Sequence, residues 1–138
     1  MAPIARAFAS NLVGGMLWKL DVDNNRGLGC DGITALARAL PSTLAVLGIA
    51  RTSCGDIGMA ALSAALPSTC IEALDCGWNP YISVNGWCEL FDTFKYLPHL
   101  RTLWLSDSGG LGDAGAVELA ARLSELLYRP SSSIRHLV

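Results

Sequence analysis

Apolar positions recur along this chain in one phase. Leu17, Leu20 and Val22 fit the spacing L-x-x-L-x-L, as do Leu44, Leu47 and Ile49; Ile71, Leu74 and Cys76; and Leu100, Leu103 and Leu105. The alternation at the end of that spacing predicts a short strand with one buried face. Eight residues after each first apolar position stands a small polar residue: Asn25, Thr52, Asn79 and Ser108. Side chains of this kind hydrogen-bond turn backbone, so a turn is predicted there.

A short signature follows each turn: LGCDG at 28–32, CGDIG at 54–58, ISVNG at 82–86 and LGDAG at 111–115. Its closing glycines, Gly32, Gly58, Gly86 and Gly115, lie 26, 28 and 29 residues apart, a period typical of repeat architectures. A helical stripe then opens at i, i+3, i+4 and i+7. It is Ile33, Leu36, Ala37 and Leu40 in the first frame, and Met59, Leu62, Ser63 and Leu66 in the second. The third has Trp87, Leu90, Phe91 and Phe94, and the fourth Ala116, Leu119, Ala120 and Leu123. Pro41 and Pro67 end the first two helices in the same frame. Pro98 comes later and predicts an extra turn on the third helix; the fourth is expected to run to Leu127.

The chain therefore reads as a single α/β domain over 1–138, with repeats at about 17–43, 44–69, 70–99 and 100–133 and partial repeats at 1–16 and 134–138. Residues 4–10 align with 36–42, a helix without its strand. Ile134, His136 and Leu137 read as a fifth strand without its helix. Ile4, Phe8 and Leu12 are placed to cap one end. A repeat array exposes core at an uncapped end, so a partner chain or a surrounding assembly is expected to cover these ends.

Strand, turn, signature and helix stripe together resemble the leucine-rich repeat family, in its ribonuclease-inhibitor-like subtype of 28–29-residue repeats, over 4–137. Thr52 and Ser108 depart from that family's usual Asn, Cys30 stands where other frames prefer Asp, and the 82–86 frame is divergent. The resemblance implies a right-handed solenoid, a horseshoe arc with parallel strands on the concave face and helices outside. It also implies a eukaryotic-type repeat that binds protein.

Composition adds to this picture. Hydrophobic residues make up 51% of the chain and charged residues 16%, an apolar balance that points to surface covered by a partner. The net charge of −2 argues against a nucleic-acid partner, and no apolar run is long enough for a membrane span. Five cysteines, an odd number, argue against a disulfide framework and for an intracellular setting. That setting is cytoplasmic or within an organelle. The opening MAPIARAFASNL has the character of a mitochondrial transit peptide as well as that of a partial repeat helix.

Three candidate chemistries fail on spacing. The stretch 21–32 places Asp21, Asp23 and Asn25 like the first ligands of a calcium loop. Arg26 stands where that loop needs Gly, and Gly32 where it needs Glu. Cys70, Cys76, Cys88 and His99 share one repeat without the paired spacing of a zinc site, and Cys76 holds a core position. No nucleophile or phosphate-loop motif occurs, so neither an enzyme nor a cofactor is expected.

On the inner sheet the outward positions are Lys19, Asp21, Asp23 and Asn24, then Val46, Gly48, Ala50 and Arg51. Ala73, Asp75, Gly77 and Trp78 follow, then Thr102, Trp104, Ser106 and Asp107. Lys19, Asp21, Asp23, Arg51, Asp75, Trp78, Trp104 and Asp107 are the candidate partner-binding residues. Tryptophans among acids suit a basic partner segment. The expected function is a non-catalytic protein-interaction scaffold, a structural subunit of a larger intracellular assembly. The alternative is an inhibitor or sensor that caps a partner enzyme.

Overall fold

The computed structural model describes residues 17–127 and 136–138. Strand and helix alternate along it: β1 (Lys19–Asp21), α1 (Gly29–Ala39), β2 (Val46–Gly48), α2 (Asp56–Ala65), β3 (Ala73–Asp75), α3 (Val84–Thr93), β4 (Thr102–Trp104), α4 (Gly112–Leu127) and β5 (His136–Leu137). The strands form one sheet in the order β1-β2-β3-β4-β5, and every neighbouring pair is parallel. The fold is thus mixed α/β with a parallel sheet.

The apolar pattern explains the register. Leu20 pairs with Leu47, Leu47 with Leu74 and Leu74 with Leu103, so the central leucines form one row across the sheet. Leu47, Leu74 and Leu103 are buried and Leu20 is half-buried. A sheet that grows in one direction through crossovers of one hand carries all its helices on one face. Each helix accordingly packs on the next, α1 on α2, α2 on α3 and α3 on α4. The helix stripes meet the leucine row: Ile33, Leu36, Met59, Leu62, Trp87, Leu90 and Phe91 are all buried. Each such side chain contributes roughly 1.5–3 kcal/mol by leaving water. Cys76 is wholly buried in this core, as its place in the pattern predicts.

Two local readings change. α3 ends at Thr93 with a 3-10 turn at Phe94–Tyr96, just as α2 ends with one at Leu66–Ser68. The later proline thus lengthens the connection to β4 and adds no helical turn. In α4 only Leu119 of the expected stripe is buried, Leu123 is half-buried, and Ala116 and Ala120 are exposed. Among the described residues no helix follows α4, so its outer flank has nothing to pack on, and Val117 is 68% exposed. Arg122 joins α4 to α3 by donating to Asp92 at 2.8 Å and to Glu118 on its own helix. Exposed ion pairs contribute only about 0–1 kcal/mol, so Leu119 carries most of this contact.

The fifth strand forms, with His136 opposite Thr102 and Leu137 opposite Leu103. Leu137 is half-exposed. Ile4, Phe8, Leu12 and the rest of the stretch 1–12, read from sequence as either a transit peptide or a partial repeat helix, lie outside the described residues, as do Ile134 and the side chain of His136. Among the described residues no helix is long and apolar enough to cross a membrane.

Candidate functional site

With the helices on one face, the other face of the sheet is bare among the described residues. Two rows cross it in register: Lys19, Val46, Ala73 and Thr102, then Asp21, Gly48, Asp75 and Trp104. Pairing continues past the strand ends. The Asn24 amide donates to the Ala50 carbonyl at 2.9 Å, Arg51 to Gly77 at 3.2 Å and Trp78 to Ser106 at 2.8 Å. The chain then turns at equivalent residues, Asn24, Arg51, Trp78 and Asp107, with φ of 64°, 54°, 56° and 52°. Asn and Asp accept this left-handed region readily. Arg and Trp are held there at a cost of roughly 1–2 kcal/mol each, a strain that concentrates at functional sites.

The shared turn fans these side chains along the rim where strands hand over to helices. The Arg51 guanidinium carbon lies 4.4 Å from the centre of the Trp78 ring, a cation–π contact. Beside it opens a cleft of about 420 Å³, lined by Arg26, Arg51, Ser53, Trp78, Pro80, Tyr81, Asp107 and Gly109. Trp78 is 45% and Tyr81 70% exposed, large apolar surface that single domains rarely leave open without use.

The sheet acids are engaged differently. Asp21 Oδ1 accepts the Asp23 amide at 2.9 Å, Asp23 Oδ1 the Ala50 amide at 2.7 Å, and Asp75 Oδ1 the Gly77 amide at 3.0 Å. The Asp23 carboxylate lies over Gly48, where a Cβ would stand 2.7 Å from its Oδ1, so β2 has glycine beneath it. These acids brace the strand ends of their own sheet. Burial raises the Asp23 carboxyl above its ordinary 3.8; the Ala50 amide opposes this, and the charges of Asp21 and Asp75 add to it. The fold therefore prefers Asp23 protonated. Its stabilising contribution is complete below pH 3.8 and is lost as pH rises through the raised native value. Asp23→Asn should thus melt at the same or a higher temperature than wild type at pH 7, with the difference vanishing in acid. A variant less stable at pH 7 than at pH 4, relative to wild type, would refute this reading.

Of the residues singled out from sequence, Asp21, Asp23, Asp75 and half-buried Trp104 share the sheet, with exposed Lys19 at its lower edge. Arg51, Trp78 and Asp107 belong instead to the rim cleft. Arg26, Pro80 and Tyr81 line that cleft too, and sequence reasoning missed them. The available signal was the run Asn79-Pro80-Tyr81, an aromatic in a turn where the other frames have small or polar residues. Among the described residues no His, Cys, Asp and Glu side chains group as metal ligands would. Burial pushes the Cys54 thiol up to about 12 and holds Cys76 well above its usual range, so neither is a thiolate nucleophile at neutral pH.

No family model matches the chain, and no curated protein matches it. Solved structures do. A structure of leiomodin-1 actin-binding site 2 superposes with a TM-score of 0.79 at 18% identity, covering 96% of this chain and 75% of that one. The tropomodulin C-terminal domain of Caenorhabditis elegans gives 0.74 at 15% identity, over 96% of this chain and 80% of that one. These likenesses establish the fold. They also correct the expected kinship: the neighbours are tropomodulin and leiomodin domains, not ribonuclease-inhibitor-like leucine-rich-repeat proteins, and the description as a four-repeat horseshoe solenoid is withdrawn with it. The physical reason lies in the pattern. A buried leucine row and an i, i+3, i+4, i+7 stripe are what any parallel sheet with helices on one face requires, so their recurrence does not single out a subtype.

Proposed function

We propose that this chain is a non-catalytic protein-binding module, acting within an intracellular assembly, and that actin is the partner to test first. The observation that carries the reading is the rim cleft. Exposed Trp78, on a strained turn, and exposed Tyr81 stand there beside a bare sheet that carries Trp104. Partly buried aromatic side chains held rigidly by backbone are the usual anchors of protein interfaces. The likeness to leiomodin-1 supports the choice of actin, because that domain is an actin-binding site. The capping-inhibitor alternative leaned on ribonuclease-inhibitor kinship and has no observation of its own.

The test is co-sedimentation of the chain with actin filaments, together with anisotropy against labelled monomeric actin. Binding to one form is expected. Trp78→Asn, which accepts the left-handed turn, combined with Trp104→Ala should weaken it by roughly tenfold or more while the circular dichroism spectrum is kept. Absence of binding to both forms removes actin as the partner. Binding untouched by the double variant removes the site.

A further inference from the structure

We infer that the rim cleft takes an extended acidic segment of a partner protein, its carboxylate held by Arg26 and Arg51 and a neighbouring apolar or aromatic residue laid on Trp78 and Tyr81. This rests on the protein-binding reading above and names the chemistry of the partner. It reverses the polarity expected from sequence, where the acids of the sheet suggested a basic partner.

Charge decides the polarity. Among the described residues the ion pairs belong to Arg122, which takes Asp92 and Glu118. No carboxylate there pairs with Arg26 or Arg51. Trp78 holds the Arg51 guanidinium from one side at 4.4 Å, which pre-sets a planar fork suited to a carboxylate. The acids of the sheet are already engaged: Asp21 and Asp75 accept backbone amides of their own turns, and Asp23 accepts the Ala50 amide of the next frame.

Topology decides the shape. Arg26 follows β1, Arg51 follows β2, Trp78 and Tyr81 follow β3, and Asp107 follows β4, so the cleft runs across the strand ends. Neighbouring strands lie about 4.8 Å apart, so three spacings come to about 14 Å, the reach of about four extended residues at about 3.4 Å each. The order along the cleft is guanidinium, guanidinium, aromatic, carboxylate. It matches a segment with an acid at one end and an apolar residue in the middle. Asp107 at the far end, and the net charge of −2, work against a polyanion such as a nucleic acid.

The test uses the intact chain and three fluorescein-labelled probes: a short peptide repeating Glu-Pro-Tyr, the same peptide with Lys for Glu, and an oligodeoxythymidylate. Anisotropy titrations at low and physiological salt should show the Glu peptide bound, weakened by salt, and the Lys peptide not bound. R26Q/R51Q, both at exposed positions, should weaken the Glu peptide by roughly tenfold. D107N, which suits the left-handed turn, should tighten it. Circular dichroism of each variant confirms that the fold is kept. The proposal is overturned if the Lys peptide binds as well as the Glu peptide, if R26Q/R51Q leave the affinity unchanged, or if the oligonucleotide binds more tightly than either peptide. Actin binding without a peptide preference sinks this proposal alone. Binding of the Glu peptide without actin binding sinks only the choice of actin.

Discussion

Asn79→Leu should cost at least about 4 kcal/mol in a urea unfolding experiment, close to the whole stability of an ordinary small domain. Asn79 is wholly buried and serves two frames at once. Its amide nitrogen donates to the carbonyls of Ile49 at 2.9 Å, Cys76 at 3.1 Å and Gly77 at 3.2 Å. Its oxygen accepts the amides of Thr52 at 3.2 Å and Cys54 at 3.1 Å. Leucine has the same branched shape but is larger, so no cavity forms, and overpacking adds to the lost hydrogen bonds. Each buried group left without a partner costs roughly 1–3 kcal/mol. Asn79→Thr should fall between wild type and leucine, because Thr52 in the frame before shows what a hydroxyl can do there: one short bond, to the Ile49 carbonyl at 2.8 Å, and one long one, to Asn79 Oδ1 at 3.4 Å. Asn25→Ala should cost least, since Asn25 is exposed and binds only Val22 and Asp23 of its own turn. A leucine variant within about 1 kcal/mol of wild type would mean that water reaches these amides.

The four turn residues show how far sequence reading carries. The pattern located Asn25, Thr52, Asn79 and Ser108 correctly as turn-bonding residues, because small polar side chains have few other uses at a strand end. It could not rank them. Only the middle of the stack is covered on both sides, and that sets how much each bond contributes. The helix stripes follow the same logic. Met59, Leu62, Ser63 and Leu66 are all buried between neighbours, whereas Ala116 and Ala120 are exposed at the last described helix. Periodicity reports which face a helix would bury and is silent on whether a neighbour is there. The rim cleft was half legible for a further reason. Alternation predicts side-chain direction only while the chain stays extended, and at Arg51, Trp78 and Asp107 it does not. Their left-handed turns swing the side chains off the sheet and toward Arg26 and Tyr81, a grouping that no linear spacing encodes.

The adjacent glycines Gly109 and Gly110 supply the sharpest contrast, and sequence alone does not tell them apart. A Cβ on Gly110 would collide with the Ile82 carbonyl oxygen and sit 3.0 Å from its carbon, both backbone atoms of the preceding frame. Real Cβ contacts essentially never fall under 3.0 Å, and a backbone carbonyl cannot rotate aside as a side chain can. Gly110→Ala must therefore push the fourth turn off the third. The third turn, against which it pushes, carries Ser83, which donates its amide to Asp56 at 2.7 Å and stands at the N-cap position of α3, so the strain reaches the packing of α3 on α2. Overpacking usually costs about 1–3 kcal/mol, and a clash between two backbones should exceed the upper end of that range. A Cβ on Gly109 meets nothing within 4 Å, and its φ lies outside the left-handed region. Gly109→Ala should then be neutral or stabilise by up to about 1 kcal/mol, through the lost freedom of the unfolded chain. Urea midpoints measured side by side decide it. Equal midpoints for the two alanine variants would mean that the fourth turn does not rest on Ile82, and the cleft that joins Tyr81 to Asp107 would lose the contact that sets its width.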